Sequence, residues 1–461
     1  MTDPNLQPVL FPALFSKPVH IEFSTDHLST NGGLVLLSVC DQQLGFTAAL
    51  ANQIKDTRQS GKVQHQYLEQ LRQRVYGIAV GCPDGNDSAQ LREDPMMKLA
   101  CERDPVKGLA LGSQSTISRF DNKPTATTLL RMSSVMADTV LGEQVQRRTG
   151  KKKPRRIIID VDPTCDPTYG SQQLSFFNGF YDTACYLPLV VTVSFDGESR
   201  KYPVASILRA GNAGAMVGVL PMLRRLLKKV REHFGKVPVF FRADSAYAVP
   251  ELFDYLESER IRYAIAMPSN AVLKRLSEVD MEKTREQVST SGETVTRYGQ
   301  GFYQSSGWTR ERWAAYKAEV VVHPDKEEPR DNERFVINNL DGRYSGRGVF
   351  EFYYGHSHIE NTIKELKNDL RMDLTSCSDF SANQFRVLLT LAAYILMQTL
   401  QAQSEHESLK KAQMGTLRER LLKIAVRVFS SARRIRLEFS RHHPWAKDWL
   451  DCATNLGARP G

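Results

Sequence analysis

The order of strands and helices in residues 156–267 restricts the fold of this chain more than any other feature. Apolar, β-branched runs predict strands at 156–162, 187–195, 202–208, 237–241 and 262–267. Apolar residues at three- and four-residue spacing predict an amphipathic helix over 214–234, and a shorter helix is predicted over 250–259. Asp196-Gly197, between the second and third strands, is a hairpin signal. Three meandering strands followed by α/β units predict an α/β domain with a mixed sheet.

This order of elements is also the order of a ribonuclease H-like fold. The predicted fold class is therefore α/β, with a ribonuclease H-like core formed by residues 151–272 and 334–400. A polar stretch at 273–333 with two short β-like patches predicts an inserted β-strand subdomain that carries Trp308 and Trp313. A mainly helical N-terminal region, residues 1–150, and a basic helical C-terminal region, residues 401–461, are expected to flank this core.

Acidic residues fall where the predicted strands end. Asp160 and Asp162 close the first strand, Asp244 follows the fourth, and Glu360 lies on a helix after the insert. The carboxyl ends of neighbouring strands are where α/β sheets bind ligands, and carboxylates without nearby His or Cys suit Mg²⁺ or Mn²⁺. One such Asp alone is more often a turn former or a helix cap. Three acids on the expected elements favour a metal site.

The helix with Glu360 has two distinct faces. Its apolar stripe, at helical spacing, consists of Ile359, Ile363, Leu366 and Leu370, and we expect these side chains to be buried. Glu360, Lys364 and Lys367 form the adjacent stripe, which could present a metal ligand beside two cations for DNA phosphates. The alternative is an ordinary surface Glu–Lys pair, which contributes only about 0.2–0.5 kcal/mol.

The same helix carries a recognisable signature. Tyr353-x-x-His356-x-x-x-Glu360, followed by Lys367, resembles the Tyr-Arg-Glu-Lys signature of DDE insertion-sequence transposases. Residues 241–247 (FRADSAY) resemble the second-aspartate strand of these enzymes, and Asp162-Pro-Thr resembles the motif of their first aspartate. More narrowly, the chain resembles the thirteen-eighty family of bacterial insertion sequences. Residues 28–33 (LSTNGG), 113–122 and 421–424 also fit that family.

The resemblance implies a catalytic and metal-binding triad of Asp162, Asp244 and Glu360 that holds Mg²⁺, or Mn²⁺ as a substitute, with two ions per site. Asp160 is the alternative first acid, and the Pro-Thr that follows Asp162 favours the latter. The resemblance also implies that residues 1–150 bind transposon ends and that DNA is contacted by Tyr353, His356, Lys364 and Lys367. His356 stands where the family has arginine, and it cannot form the two-pronged phosphate contact of a guanidinium.

Charge supports a polyanionic partner. The formal net charge is +9, and residues 410–447 alone hold eleven Lys or Arg against two Glu. A second basic cluster lies in the linker, and its residues predicted to bind DNA are Arg147, Arg148, Lys151, Lys152, Lys153, Arg155 and Arg156. Basic clusters of this kind favour binding to the DNA backbone, although a solvated surface is an equally good explanation for either of the two clusters alone.

These observations lead to one function and two alternatives. The predicted function is cut-and-paste DNA transposition: cleavage at the ends of the element, then attack of the freed 3′-hydroxyl on target DNA, by a homodimer on paired ends. The alternatives are a non-catalytic DNA-binding protein derived from a transposase and a stand-alone nuclease of the same fold. Seven scattered cysteines and an N-terminus without a signal-peptide pattern suggest a cytoplasmic protein. The resemblance implies that it is bacterial and associated with the nucleoid.

Overall fold

The computed structural model describes residues 9–11, 19–21, 27–150, 153–196, 198–323, 328–340, 342 and 344–459. The chain divides into two compact units. The first unit comprises Met1–Gln43, Thr57–Ser118 and Leu396–Gly461, and the second comprises Leu44–Asp56 and Arg119–Ile395. The first unit thus combines residues 1–43 and 57–118 of the predicted N-terminal region with the predicted C-terminal region, which we expected to be a separate domain.

The elements are numbered in chain order. The strands are β1 (Val9–Phe11), β2 (Val19–Ile21), β3 (Leu28–Ser29), β4 (Ile157–Pro163), β5 (Asp166–Pro167), β6 (Phe176–Asn178), β7 (Thr183–Tyr186), β8 (Leu189–Phe195), β9 (Tyr202–Ile207), β10 (Val239–Ala243), β11 (Arg262–Met267), β12 (Val295–Tyr303), β13 (Arg312–Val321), β14 (Arg330–Asp331), β15 (Arg334–Asn338), β16 (Val426–Ser430) and β17 (Ile435–Phe439). The α-helices are α1 (Leu34–Leu44), α2 (Phe46–Ala51), α3 (Tyr67–Ala79), α4 (Ser88–Leu91), α5 (Pro95–Ala100), α6 (Gln114–Asp121), α7 (Ala126–Arg147), α8 (Val219–Phe234), α9 (Pro250–Ser258), α10 (Ala271–Ser291), α11 (Gly346–Tyr354), α12 (His358–Lys364), α13 (Phe380–Gln401), α14 (Glu407–Lys410), α15 (Met414–Leu417) and α16 (Ala446–Asn455).

A mixed sheet organises the second unit. Among the described residues it has nine strands, in the order β12-β13-β15-β11-β10-β4-β8-β9, with β14 paired to β13. Strands β4, β10 and β11 run parallel, β8 runs antiparallel to β4, and β9 runs antiparallel to β8. All residues of β8 and residues 157–161 of β4 are buried, as expected for apolar strands covered on both faces. The predicted mixed α/β architecture is confirmed.

Helix α8 covers part of this sheet. Its apolar stripe, from Val219 to Phe234, is buried, and it packs beside α7, which also contacts β9. The helix begins five residues later than predicted because Gly218 adopts a left-handed conformation, with φ +80°, immediately before it. Helix α7 thus belongs to the second unit, although the sequence placed it in the N-terminal domain.

The expectation of a mainly β insert at 273–333 is wrong in its first part. Residues 271–291 form α10, whose N-terminus is capped by Asn270: its side-chain oxygen accepts hydrogen bonds from the amides of Val272 and Leu273. The buried positions are Leu273, Ser277, Met281, Thr284 and Val288. Their spacing is helical, but two of the five residues are polar, which hides the pattern from a hydrophobicity count. Strands β12 and β13 follow, and β13 pairs with β15.

The prediction of a basic helical C-terminal region is also wrong in part. After α15 and a π-helical turn at Arg418–Leu422, residues 426–439 form the hairpin β16–β17, and β16 also pairs with β3. Val426 and Val428 are buried on either side of exposed Arg427, which is the two-residue period of a strand. Helix α16 follows the hairpin near the end of the chain.

Helix α13 is more apolar than its neighbours. Among the described residues it is the one helix long and apolar enough to cross a membrane, but 83% of its most apolar window is buried inside the protein. Such burial is typical of the core helix of a folded domain.

Candidate active site

Asp160 lies at the centre of a buried ion cluster. It is fully buried on β4, and Arg242 is its direct partner in the parallel register with β10. The Arg242 guanidinium donates to both carboxylate oxygens of Asp160, at 2.7 and 3.0 Å, and Lys201 Nζ donates at 2.7 Å. Burial alone would raise the pKa of Asp160, but Arg242, His356 and Lys201 together hold it well below its usual range. Its negative charge is thus already compensated inside the protein.

Asp162 has different surroundings, although it is only two residues further along β4. Its side chain is partly exposed, and its pKa is raised to about 7. Burial is the largest cause, the negative charges of Asp244, Glu360 and Asp160 act in the same direction, and His356 opposes them. Asp162 is therefore a carboxylate that lacks sufficient positive charge around it, the opposite of Asp160.

Asp244 follows directly after β10, which lies beside β4 in the sheet. Its Oδ1 accepts a hydrogen bond of 3.0 Å from the amide of Ala246, which fixes the carboxylate at the start of a short 3₁₀ turn. Burial raises the pKa of Asp244, and the Ala246 amide, His356 and Arg209 act in the opposite direction. The strand order thus places both carboxylates at the same edge of the sheet.

Glu360 lies in the first turn of α12, and its side chain is exposed. The predicted apolar stripe of this segment is confirmed, because Ile359, Ile363, Leu366 and Leu370 are all buried. Lys364 is exposed on the adjacent face. Lys367 lies in a π-helical turn after α12, and its ammonium donates to the carbonyl of Cys165 at 2.7 Å, just beyond the Asp162 strand. The helix and the end of β4 are therefore joined.

The donor set of this site suits a hard divalent cation. Asp162, Asp244 and Glu360 offer carboxylate oxygens, the ligands that Mg²⁺ and Mn²⁺ prefer. Burial and the three neighbouring acids both raise the pKa of Asp162, and a bound cation would counteract both effects. Within the described part of the chain, no group of three or more His, Cys, Asp or Glu side chains is already arranged around a common metal position. The carboxylates share one electrostatic environment without forming a closed cage.

Two residues of the predicted signature occupy contrasting positions. Tyr353, at the end of α11, is half-buried, and burial raises its pKa to about 12, with Asp244 and Asp162 adding to the effect. Its hydroxyl is therefore in the field of both aspartates. His356 is 8% exposed, and its Nδ1 lies 3.1 Å from Asp160 Oδ1. The expectation of a DNA contact at His356 is not supported, because this shorter side chain is enclosed in the ion cluster.

Among the described basic residues of the linker, Arg147, Arg148 and Arg156 make contacts within the protein. Arg147 pairs with Glu143 on α7, and Arg148 pairs with Glu198 at 2.7 Å while its guanidinium lies 4.2 Å from the centre of the Phe195 ring. Arg147 and Arg148, which we predicted to contact DNA, therefore interact with other residues of the protein.

The described basic residues at the end of the linker are partly in contact with the protein and partly exposed. Arg156 lies over the rings of Phe240 and Phe352, at 5.6 and 5.5 Å from their centres. Lys153 and Arg155 are exposed and remain candidates for DNA binding. Lys151 and Lys152 lie outside the described residues.

Sequence reasoning missed the cations that neutralise Asp160. Arg242 lies inside the apolar run of β10, and a buried charge in such a run requires a partner. The sequence around Arg242 therefore could have predicted a buried ion pair. Lys201 offered no such signal, because it lies in a polar connection 41 residues from Asp160. Arg209, buried beside Asp244, donates to the carbonyls of Leu187 and Ala215 and was also unforeseen.

The chain is similar to a known protein family and to a solved structure. The profile of a family described as transposase DDE domain group 1 matches residues 11–460. Among solved structures, piggyBac transposase in a synaptic complex with hairpin DNA is similar at 11% identity and a TM-score of 0.41, over 85% of this chain and 80% of that chain. No curated protein sequence matches the chain.

The family match covers nearly the whole chain and defines its class: the protein is a DDE transposase, an enzyme of DNA transposition. More particularly, it belongs to the family of transposase DDE domain group 1.

Proposed function

We propose that this transposase moves an insertion sequence by a cut-and-paste reaction that depends on divalent metal ions. In this reaction one strand is cleaved at each element end, and the freed 3′-hydroxyl then joins target DNA. The observation that carries the proposal is the partly buried Asp162, whose pKa is raised to about 7 by burial and by neighbouring Asp244 and Glu360. Partly buried carboxyl groups with a strongly raised pKa are typical of functional sites, where a cation or a reacting group binds beside them.

The topology supports a ribonuclease H-like core for this reaction. The order β9-β8-β4-β10-β11, with β10 and β11 parallel to β4, corresponds to three meandering strands followed by two parallel ones. The motifs around Asp162, Asp244 and Glu360 further favour membership of the thirteen-eighty family. We expect the protein to act in the bacterial cytoplasm, on nucleoid DNA.

The proposed ligands of two Mg²⁺ ions, or of Mn²⁺ in their place, are Asp162, Asp244 and Glu360. Bound there, the ions would supply Lewis-acid stabilisation of the charge that develops on the phosphodiester and would make a water molecule more acidic. The other residues position the substrate. Lys364 and Lys367 attract the phosphates beside Glu360, and the Tyr353 hydroxyl donates to a phosphate oxygen near the aspartates.

The ion cluster around Asp160 stabilises the surroundings of the candidate active site, but Asp160 is not one of the proposed metal ligands. Arg242 donates to Asp160 and, through Nη1 at 2.7 Å, to the carbonyl of Phe352, the residue before Tyr353. One guanidinium thereby connects β4, β10 and α11. This connection joins the strand that carries Asp162 to the helix that carries Tyr353, which supports a fixed arrangement of the two residues. Because both ends of an element must be cut, we propose a homodimer that holds two ends together.

Cleavage of DNA from the flanks of the gene tests this function. Purified protein is incubated with that DNA and Mg²⁺ or Mn²⁺, beside Asp244→Asn and a control, Glu286→Gln, which replaces an exposed carboxylate on α10. We expect metal-dependent nicking at the repeat boundary by the wild type and the control, and loss of nicking in Asp244→Asn. Strand transfer into a target plasmid separates a transposase from a stand-alone nuclease. Tight binding without nicking by the wild type would instead favour the non-catalytic DNA-binding protein.

A further inference from the structure

A short hairpin beside the candidate active site exposes an unusual amount of apolar surface. Strands β6 and β7, with β5, form a three-stranded sheet in the connection between β4 and β8. Within residues 174–181 of this connection, five large apolar side chains are exposed: Leu174, Phe176, Phe177, Phe180 and Tyr181. We call this group the aromatic hairpin. Phe180 is the most exposed, at 87%. Exposed apolar side chains clustered in so short a segment mark an interaction site more often than scattered apolar residues do.

The hairpin tip is held in one conformation. The Asn178 side-chain oxygen accepts hydrogen bonds from the amides of Phe180 and Tyr181 at 3.0 and 3.3 Å, and its Nδ2 donates to the Gly211 carbonyl at 2.8 Å. Gly211 lies so close to the hairpin that a Cβ there would meet the Phe176 carbonyl oxygen at 2.3 Å. The exposed rings are therefore presented on a fixed backbone, which lowers the entropy lost when they contact a partner.

The tip lies next to the carboxylates. β5 begins four residues after Asp162, and the Lys367 ammonium from the Glu360 segment reaches Cys165 at the start of the connection. Burial raises the pKa of Tyr181, and Asp162 and Asp244 add to this effect, so the Tyr181 hydroxyl lies in their field. The Phe180 ring stands at 4.8 Å from the Tyr181 ring, centre to centre, in an edge-to-face arrangement. Exposed aromatic side chains therefore adjoin the candidate active site.

The charge pattern indicates which part of DNA this surface contacts. Residues 174–181 (LSFFNGFY) contain no ionisable side chain other than Tyr181, in a chain with a formal net charge of +9. A surface without cations is poorly suited to phosphates, which Lys364 and Lys367 on the neighbouring segment can bind instead. Aromatic faces stack on bases without regard to sequence, and apolar wedges enter between base steps and unstack them.

We propose that the aromatic hairpin, through Phe180, stacks on a nucleobase unpaired beside the cleavage site and so holds the strand at the carboxylates. This role rests on the proposed DNA cleavage and adds a strand-positioning element from the β4–β8 connection. Phe180 acts on the DNA conformation, whereas the carboxylates act on the phosphodiester. Stacking on one aromatic residue changes affinity by roughly 5- to 150-fold in other single-strand-binding proteins, so its loss is measurable.

The test compares Phe180→Ala, Phe180→Trp and Tyr169→Ala with the wild type. Tyr169 is a matched control because it is 94% exposed and lies outside the aromatic hairpin. The substrates are duplexes from the flanks of the gene, either intact or lacking one base at each position around the cut in turn. We expect Phe180→Ala to cleave intact duplex about tenfold or more slowly, and Phe180→Trp and Tyr169→Ala to stay within about twofold of the wild type. At one position, removal of the base should make Phe180→Ala and the wild type equal.

The contrary results are equally clear. An unchanged rate in Phe180→Ala, or an equal defect on every abasic duplex, would overturn the stacking role. A DNA-free molar mass that halves in Phe180→Ala would assign the aromatic hairpin to contact between two copies of the chain and would also overturn the proposal. If the wild type itself fails to cleave with Mg²⁺ or Mn²⁺, the proposed cleavage function fails first, and the two failures are thereby distinguished.

Discussion

Arg242 and Asp160 lie directly opposite each other on the parallel strands β10 and β4, and the guanidinium donates to both carboxylate oxygens. Parallel pairing fixes their separation, so this ion pair depends on the register of the two strands that also end in Asp244 and Asp162. A shift of one residue would turn the two side chains to opposite faces of the sheet. The pair therefore reports whether the strands that hold the candidate site are correctly aligned.

Replacement of Arg242 by alanine should be strongly destabilising. It leaves the fully buried Asp160 with only Lys201 and His356 and removes the donor to the Phe352 carbonyl. Removal of one partner of a buried pair costs about 3–5 kcal/mol. We expect the free energy of unfolding, measured with urea, to fall by an amount in this range. Arg347→Ala, which changes a 73%-exposed arginine, should stay within about 0.5 kcal/mol of the wild type.

Asp160 and Asp162 should respond in opposite directions to substitution by asparagine. Asp160→Asn breaks a compensated buried cluster, so the free energy of unfolding should fall by about 3 kcal/mol. Asp162→Asn removes one of several mutually repelling carboxylates, so without divalent ions the protein should be as stable as the wild type or more stable. DNA cleavage should be lost in Asp162→Asn. Retained cleavage in Asp162→Asn together with normal stability in Asp160→Asn would reverse our assignment of the first acid.

Asp166 should make stability depend on pH. It is 1% exposed, and burial raises its pKa to about 7, with Asp373 acting in the same direction and Thr375, Lys367 and Arg386 opposing. The pKa in the unfolded chain is about 4. The folded state thus favours the protonated carboxyl, and this contribution is complete below about pH 4 and is lost as the pH rises through about 7.

Asp166→Asn removes this titration while retaining an acceptor for the Thr375 hydroxyl, which donates to Asp166 at 2.6 Å. The free energy of unfolding of the variant, relative to the wild type, should therefore increase between about pH 5 and about pH 8, by on the order of 1–3 kcal/mol. Urea unfolding at both pH values measures the change. Parallel pH profiles for the two proteins would show that Asp166 does not titrate in this range.

Lys364→Ala should weaken DNA binding without altering the fold. Lys364 is exposed beside Glu360, and loss of one phosphate contact reduces the salt dependence of the binding constant by about one counterion. Binding of flank DNA at several salt concentrations, followed by fluorescence anisotropy, gives this slope. Lys228→Ala, at a 77%-exposed lysine on α8, is the matched control and should leave the slope unchanged. Equal slopes in all three proteins would remove Lys364 from the DNA-binding surface.

The sequence could predict those features that depend on the pattern of neighbouring residues along the chain. The five strands of the core, the amphipathic α8 and the buried stripe from Ile359 to Leu370 follow from apolar periodicity alone, and the structure confirms them. The motif aspartates could be placed at strand ends because strands β4 and β10 are apolar runs that stop at Asp162 and Asp244. Their assignment as catalytic groups stays a prediction.

The remaining features depend on contacts between distant residues. The ion cluster joins residues from 160 to 356, and no spacing rule connects Lys201 or His356 with Asp160. Helix α10 was missed because Ser277 and Thr284 occupy buried positions, where Ser277 donates to Glu333 and Thr284 to the Asp280 carbonyl. Apolar spacing between Leu417 and Val428 suggested that the basic C-terminal segment is helical, whereas the alternation around Arg427 is set by pairing of β16 with β17 and β3.

The continuous pairing of β12 and β13 with the edge of the central sheet has a practical consequence for dissecting the enzyme. Nine residue pairs join β12 to β13, and five join β13 to β15, so this part of the insert shares its backbone hydrogen bonds with the strands that position the carboxylates. Deletion of residues 273–333 would therefore uncover β15 and create a new sheet edge prone to aggregation. Aggregation of such a truncated enzyme would mask any effect of the insert on DNA cleavage. Point substitutions on α10 are therefore better suited to test what the insert does.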